Sequence, residues 1–176
     1  VKSIIRERME QIVDALGVTY GYEVFKVYTD AFAPIDLRSM YYHLNKGLGL
    51  GIFELVGVRS EKGSFTWGDV SVRRYYILGP SAAGKATDDL HIIVKTLGLN
   101  YREPKDYVDW QQLLKERAAA VASEVEVLVR AKRPSLVVIN NLNKKLSSLI
   151  GWFEEKKINT KELEELRGKL EGFGQR

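Results

Sequence analysis

Three stretches of helical period, each closed by glycine or proline, are followed by two stretches of β-formers, and that order constrains the fold more than any single residue. Ile5, Met9, Ile12, Val13 and Leu16 recur at helical spacing over Ile4 to Leu16, with Gly17 as a stop. A second helix is expected from near Tyr20 through Val24, Phe25, Val27 and Tyr28 toward Phe32, ended by Pro34. Asp36 is placed to cap a third, which buries Leu37, Met40, Tyr41 and Leu44 before Gly47, Gly49 and Gly51 loosen and end it. Ile52 to Val58 and Val70 to Leu78 read as strands, and the polar, glycine-bearing run Ser60 to Gly68 reads as a long hairpin tip.

Helix, helix, helix, two-stranded wing is the order of a winged helix-turn-helix domain. The expected fold class is therefore α+β, mainly α, with the winged domain over 1–85 and a helical region over 86–176. A short helix from Thr87 to Gly98 fits either half. Beyond it, Trp110, Leu114, Val121, Val125 and Leu128 form one apolar stripe. After Pro134, Ile139, Leu142, Leu146, Leu149 and Phe153 repeat at three- and four-residue steps, and Leu163, Leu166, Leu170 and Phe173 continue the pattern. Three amphipathic helices offer more apolar stripe than a domain of about 80 residues covers, so these residues are expected to build a homodimer. The competing expectation is that they complete a monomeric core.

A helix fits the major groove of duplex DNA, and a flanking wing reaches phosphate or the minor groove. From Leu37 through Phe53 the chain has Arg38, His43 and Lys46 and no acid, so this face approaches DNA without carboxylate repulsion. With the apolar face inward, Arg38, Ser39, Tyr42, Asn45 and Lys46 turn outward. Arg38 and Asn45 are suited to base edges, Lys46 and Ser39 to the backbone. In the hairpin, Arg59, Lys62, Arg73 and Arg74 are the phosphate-contact candidates; Glu61 and Asp69 dilute their charge, and Phe65, Trp67, Tyr75 and Tyr76 supply aromatic surface. The net charge of +4 favours a polyanion partner without deciding it.

In these residues the chain resembles the PadR-like winged-helix regulators: Gly21, Tyr22 and Glu23 in the second helix, Met40 and Tyr41 followed by Leu44 in the third, Gly51 before an apolar strand, and Arg73, Arg74, Tyr75 and Tyr76 in the returning strand. The resemblance covers roughly the first 80 residues. It implies a dimeric transcription regulator whose third helix enters the major groove and whose C-terminal helices make the dimer. Neither an operator sequence nor a small-molecule effector carries across.

Gly79 to Ala86 nearly matches a phosphate-binding loop, but Ala86 stands where Ser or Thr would hold magnesium, and no apolar strand ending in Asp follows. The histidines, His43 and His91, have no second ligand at metal spacing, and the chain has no cysteine. The carboxylate pairs Asp88 and Asp89, Glu124 and Glu126, and Glu154 and Glu155 fit helix starts and solvated faces. The expectation is thus a non-catalytic protein with no metal and no cofactor. Its partner is expected to be duplex DNA; a protein-interaction adaptor and a single-stranded nucleic-acid binder are the alternatives. With no run long enough to span a bilayer and no basic-then-apolar leader, the expected location is cytoplasmic and off the membrane.

Overall fold

A computed structural model describes residues 3–65 and 68–173. Trp67 lies outside them, as do the side chains of Glu61, Phe65 and Asp69. The chain forms two compact units, residues 1–108 and 109–176.

The first unit is α+β and compatible with a winged helix. Helix α1 (Ile4–Leu16) buries Met9, Ile12, Val13 and Leu16 along the stripe its sequence lays out. Strand β1 (Thr19–Tyr20) follows, then α2 (Gly21–Ala31) and α3 (Leu37–Gly49), and then the antiparallel ribbon of β2 (Phe53–Phe65) and β3 (Gly68–Leu78). The sheet order is β1-β3-β2, with Thr19 opposite Tyr76 and Tyr20 opposite Tyr75. Phe53 and Tyr76 reach from the sheet into a core of Met9, Ile12, Leu16, Val24, Met40 and Leu44.

The second helix starts at Gly21, next to Tyr20 as expected, and Tyr20 itself ends a two-residue strand. Two sequence expectations are corrected here. The run Ser60 to Gly68 is largely ribbon rather than loose tip, since pairing continues through Ser60 with Val72 and Lys62 with Val70. The boundary expected after residue 85 falls after Val108, because α4 (Asp88–Thr96) packs against α1 and α2, burying Leu90 and Val94 in the first unit's core.

The third helix runs on through Gly47, where the Phe53 ring packs against the bare backbone. A Cβ there would overlap the Phe53 ring, whereas a Cβ at Gly49 would meet open space. The two glycines should therefore respond with opposite sign. Gly47→Ala is expected to cost about 1–3 kcal/mol through overpacking against Phe53. Gly49→Ala should gain up to about 1 kcal/mol of helix propensity. Urea unfolding of the two variants checks this, and equal shifts would contradict the packing described. Beyond them, Gly51 adopts φ +71 and ends the helix.

Residues 99–108 return across the first unit and are latched to it. Val18 N–H donates to Arg102 O and Arg102 N–H donates to Leu16 O, each at 3.0 Å. This close approach requires Gly17, whose φ is +73 and whose Cβ would collide with that backbone. The Arg102 guanidinium reaches Glu23 through both terminal nitrogens, at 2.7 and 2.9 Å, and Thr19 Oγ1 donates to the same carboxylate at 2.8 Å. That pairing holds the Arg102 pKa above its ordinary value against the opposing effect of burial.

The second unit is three helices, α5 (Trp110–Arg130), α6 (Leu136–Glu155) and α7 (Lys161–Glu171), packed on one another. Asp109 caps α5 by accepting from Gln112 N–H at 3.1 Å. Leu114, Val121, Val125 and Leu128 of α5 are buried, as are Ile139, Leu142, Leu146, Leu149 and Phe153 of α6. Trp110 is half-buried, edge-on to Trp152 at 5.2 Å between centroids, with the Lys156 ammonium 4.0 Å above its ring. Much of the stripe expected to pair with a second copy is thus buried among the three helices of this unit. The apolar side chains left exposed are others: Val127 and Val129 at the end of α5, and Leu136, Val137 and Val138 in the first turn of α6.

Candidate nucleic-acid interface

Helix α3 is set by its cap and its buried face. Asp36 Oδ1 accepts from Ser39 N–H at 2.8 Å, which fixes the first turn. Met40, Leu44 and Gly47 then face the core. The residues displaced from that face, Arg38, Tyr42, Asn45 and Lys46, are all exposed, Tyr42 to 61%. Arg38 and Asn45 lie two turns apart, about 10 Å along the axis, a span that fits a major groove roughly 12 Å wide. Ser39, expected to turn outward with them, is only half-exposed.

Tyr41 departs from expectation in the other direction: it is 39% exposed, and its ring lies over Gly21, where any Cβ would overlap it. His43 is half-buried beside the Tyr42 ring, with Arg6 Nη1 3.4 Å from its Nδ1. Burial, reinforced by Arg6, lowers its pKa, so near neutral pH His43 adds no charge to the face. The cation there is Arg6, on α1. Nothing in the helical pattern of α1 singles it out.

The ribbon arginines do not act as one set. Leu55 pairs with Tyr76 but Gly57 with Tyr75, so a bulge at this point turns the residues that follow, as far as Lys62, to the opposite face. Val58, Ser60 and Lys62 pair with Arg74, Val72 and Val70. They therefore share the face that Tyr76 presents to the helical core. Arg59 and Arg73 are opposite each other on the other face. There Arg73 lies 4.4 Å from the Tyr20 ring centroid and Arg59 lies 4.8 Å from that of Tyr107, which stacks on Tyr75. Arg102 stands 5.9 Å from both the Tyr20 and Tyr75 rings. Cation–π contacts thus hold Arg59 and Arg73 down on tyrosines, while Arg74 and Lys62 extend from the helix-side face.

Between the first turns of α2 and α3 and the edge of β3 runs a groove of about 860 Å³. Tyr20, Tyr22 and Tyr41 line it together with Lys26, Arg73 and Arg74. Lys26, absent from the sequence candidates, sits 5.3 Å over the Tyr22 ring.

The glycine-bearing loop after β3 has a structural use. Ala83 and Gly84 N–H donate to Glu10 Oε2 at 2.9 and 2.8 Å, and Ala86 N–H donates to Asp14 Oδ2 at 2.8 Å. Two carboxylates of α1 thus occupy donors that a phosphate loop would aim at its nucleotide. The next helix begins only at Asp88, too late to supply the amide cradle.

No helix among the described residues is long and apolar enough to cross a membrane. No protein-family model matches the chain, and no curated protein matches it. Among solved structures, it is similar to Bacillus subtilis PadR in complex with operator DNA, at 13% identity and a TM-score of 0.34, over 96% of this chain and 99% of that one.

Proposed function

We propose that this chain is a non-catalytic, homodimeric winged-helix regulator of the PadR-like kind that binds duplex DNA. One observation carries the reading: α3 turns an acid-free outer face of Arg38, Tyr42, Asn45 and Lys46 to solvent, and the ribbon's helix-side face adds Arg74 and Lys62. Donors at two heights of one helix can meet base edges while the ribbon cations meet phosphate. Arg6 extends the positive surface from α1.

The exposed apolar side chains support pairing. The first turn of α6, Leu136 to Ile139, is apolar on every side, and a helix of that character is normally covered all round. Leu136 and Val137 are 70% and 68% exposed in the single chain. A twofold axis at this end of the second unit would cover them, and a twofold dimer matches a palindromic DNA site.

Duplex binding measured by fluorescence anisotropy between about 50 and 200 mM salt should weaken by tenfold or more, with a linear log–log slope set by the phosphates contacted. Light scattering should give twice the 20.0 kDa chain mass. Absence of binding at low salt, or binding indifferent to salt, removes the DNA reading; a monomer removes the pairing.

A further inference from the structure

Strand β3 is paired on both sides only at Tyr75 and Tyr76, because β1 is two residues long and the chain leaves it at Gly21 to enter α2. From Arg74 back toward Val70, β3 is paired with β2 alone, and among the described residues no strand lies along its other side. That open edge, Ser71 to Arg74, is one wall of the 860 Å³ groove. Proteins usually shorten, cover or twist away such edges, since each presents a row of main-chain donors and acceptors ready to pair.

We infer that this groove accepts an extended acidic peptide segment as an added strand, laid along β3 in line with β1. The main chain of the segment would satisfy the exposed edge, which is the mode of recognition by strand addition. Side chains set its chemistry. Among the described residues the groove lining contains Lys26, Arg74 and, over the Tyr20 ring, Arg73, and no acid, so Lys26 and Arg74 attract carboxylates and repel basic segments. On the helix-side face of the ribbon, Val58, Val70 and Val72 are exposed, Val72 to 65%, so alternate positions of the segment should be apolar and β-branched. Leu37 and the Tyr41 ring close the far wall.

A single nucleic-acid strand shares the preference for cations and tyrosine rings. It offers acceptors but no regular row of donors at strand spacing, so it would leave the β3 carbonyls unpaired. A second copy of β3 would bring Arg73 and Arg74 against their own counterparts, which like-charge repulsion opposes. The acidic peptide is the occupant that meets both the charge and the edge.

The test uses the whole chain and an acetylated, amidated hexapeptide of alternating valine and glutamate, with no DNA present, so its outcome and that of the duplex experiment are independent. Calorimetry should show binding, and amide hydrogen exchange should slow at residues 70–74. A peptide N-methylated at alternate residues keeps its charge but loses its edge donors, and should bind at least tenfold more weakly. The lysine-for-glutamate peptide should not bind. Arg73→Glu with Arg74→Glu should weaken binding by tenfold or more, and the N-methylated peptide on the unaltered chain decides the question if that variant folds poorly. Unchanged exchange at 70–74, equal affinity of the N-methylated peptide, or protection of these amides by oligothymidylate but not by the peptide would overturn the inference.

Discussion

Arg102→Ala is expected to lower the stability of the first unit by about 2–3 kcal/mol, the largest loss from any single side chain outside its apolar core. Removing one partner of a buried ion pair typically costs about 3–5 kcal/mol, because the other charge stays behind without compensation. Here the Glu23 side chain is 5% exposed and that of Arg102 26%, so water reaches the arginine end and the loss falls at or just below the bottom of that range. Thr19 Oγ1 would remain the carboxylate's single side-chain donor of the three described. Arg102→Lys keeps the charge but loses the two-pronged geometry and should cost about half as much. Thr19→Val should cost about 1 kcal/mol, the value of one hydrogen bond. Urea unfolding measures all three. A loss below about 0.5 kcal/mol for Arg102→Ala would mean that the return segment is not latched as described.

The same substitution reaches the interface. Residues 99–108 deliver Tyr107 to the outer face of the ribbon, where its ring stacks on Tyr75 and lies under Arg59. If Arg102 lets go of Glu23, the segment keeps only its backbone hydrogen bonds with Leu16, Val18 and Val94, and the tyrosine stack loosens. Amide exchange at Val18 and Arg102 should then accelerate while exchange in α3 stays slow, because the α3 hydrogen bonds and its contacts with Phe53 do not involve this segment.

Much of this fold is legible in the sequence, and the reason differs by element. Helices α1 and α3 follow from apolar spacing because each packs one face on a core, and Asp36 caps where a cap was expected. Strand β1 is invisible to any periodicity argument: two residues, Thr19 and Tyr20, carry no pattern, and only their pairing to Tyr76 and Tyr75 defines them. The return segment is equally silent, since the Glu23 to Arg102 contact spans 79 positions and no pattern around Arg102 points back to the second helix. Ser60 to Gly68 has the composition of a turn, yet pairing to β3 overrides that preference over most of its length.

The candidate site divides in the same way. On α3, helical geometry places Arg38, Tyr42, Asn45 and Lys46 outward from the spacing of Met40 and Leu44 alone. On the ribbon, the side to which each arginine turns depends on a bulge between Leu55 and Gly57. Counted by alternation from Leu55, Arg59 would share the core-side face; the extra residue at Val56 reverses it. Tyr41 read as core because it falls next to Met40 on an apolar stripe, whereas the bare backbone of Gly21 leaves its ring a shelf at the surface. In the second unit the leucine stripes fall on helices as their spacing predicts, but spacing alone does not say whether a stripe meets its own chain or another.

The division of the ribbon makes a sharp expectation for DNA binding. Arg38→Ala with Lys46→Ala should weaken duplex binding roughly 100-fold, since a base-edge or phosphate contact from an arginine or lysine carries about 1–3 kcal/mol. Arg74→Ala should weaken it by about tenfold and reduce the magnitude of the salt slope by about one, as the loss of a single phosphate contact does. Arg59→Ala removes an equal formal charge from the same ribbon, yet its guanidinium lies over Tyr107 on the opposite face, so affinity should change less than twofold and the slope should hold. Charge alone treats the two arginines as equivalent; register does not. Equal losses at Arg59 and Arg74 would mean that the ribbon acts only through its overall field. Full affinity in the Arg38 and Lys46 double variant would mean that α3 does not face the duplex.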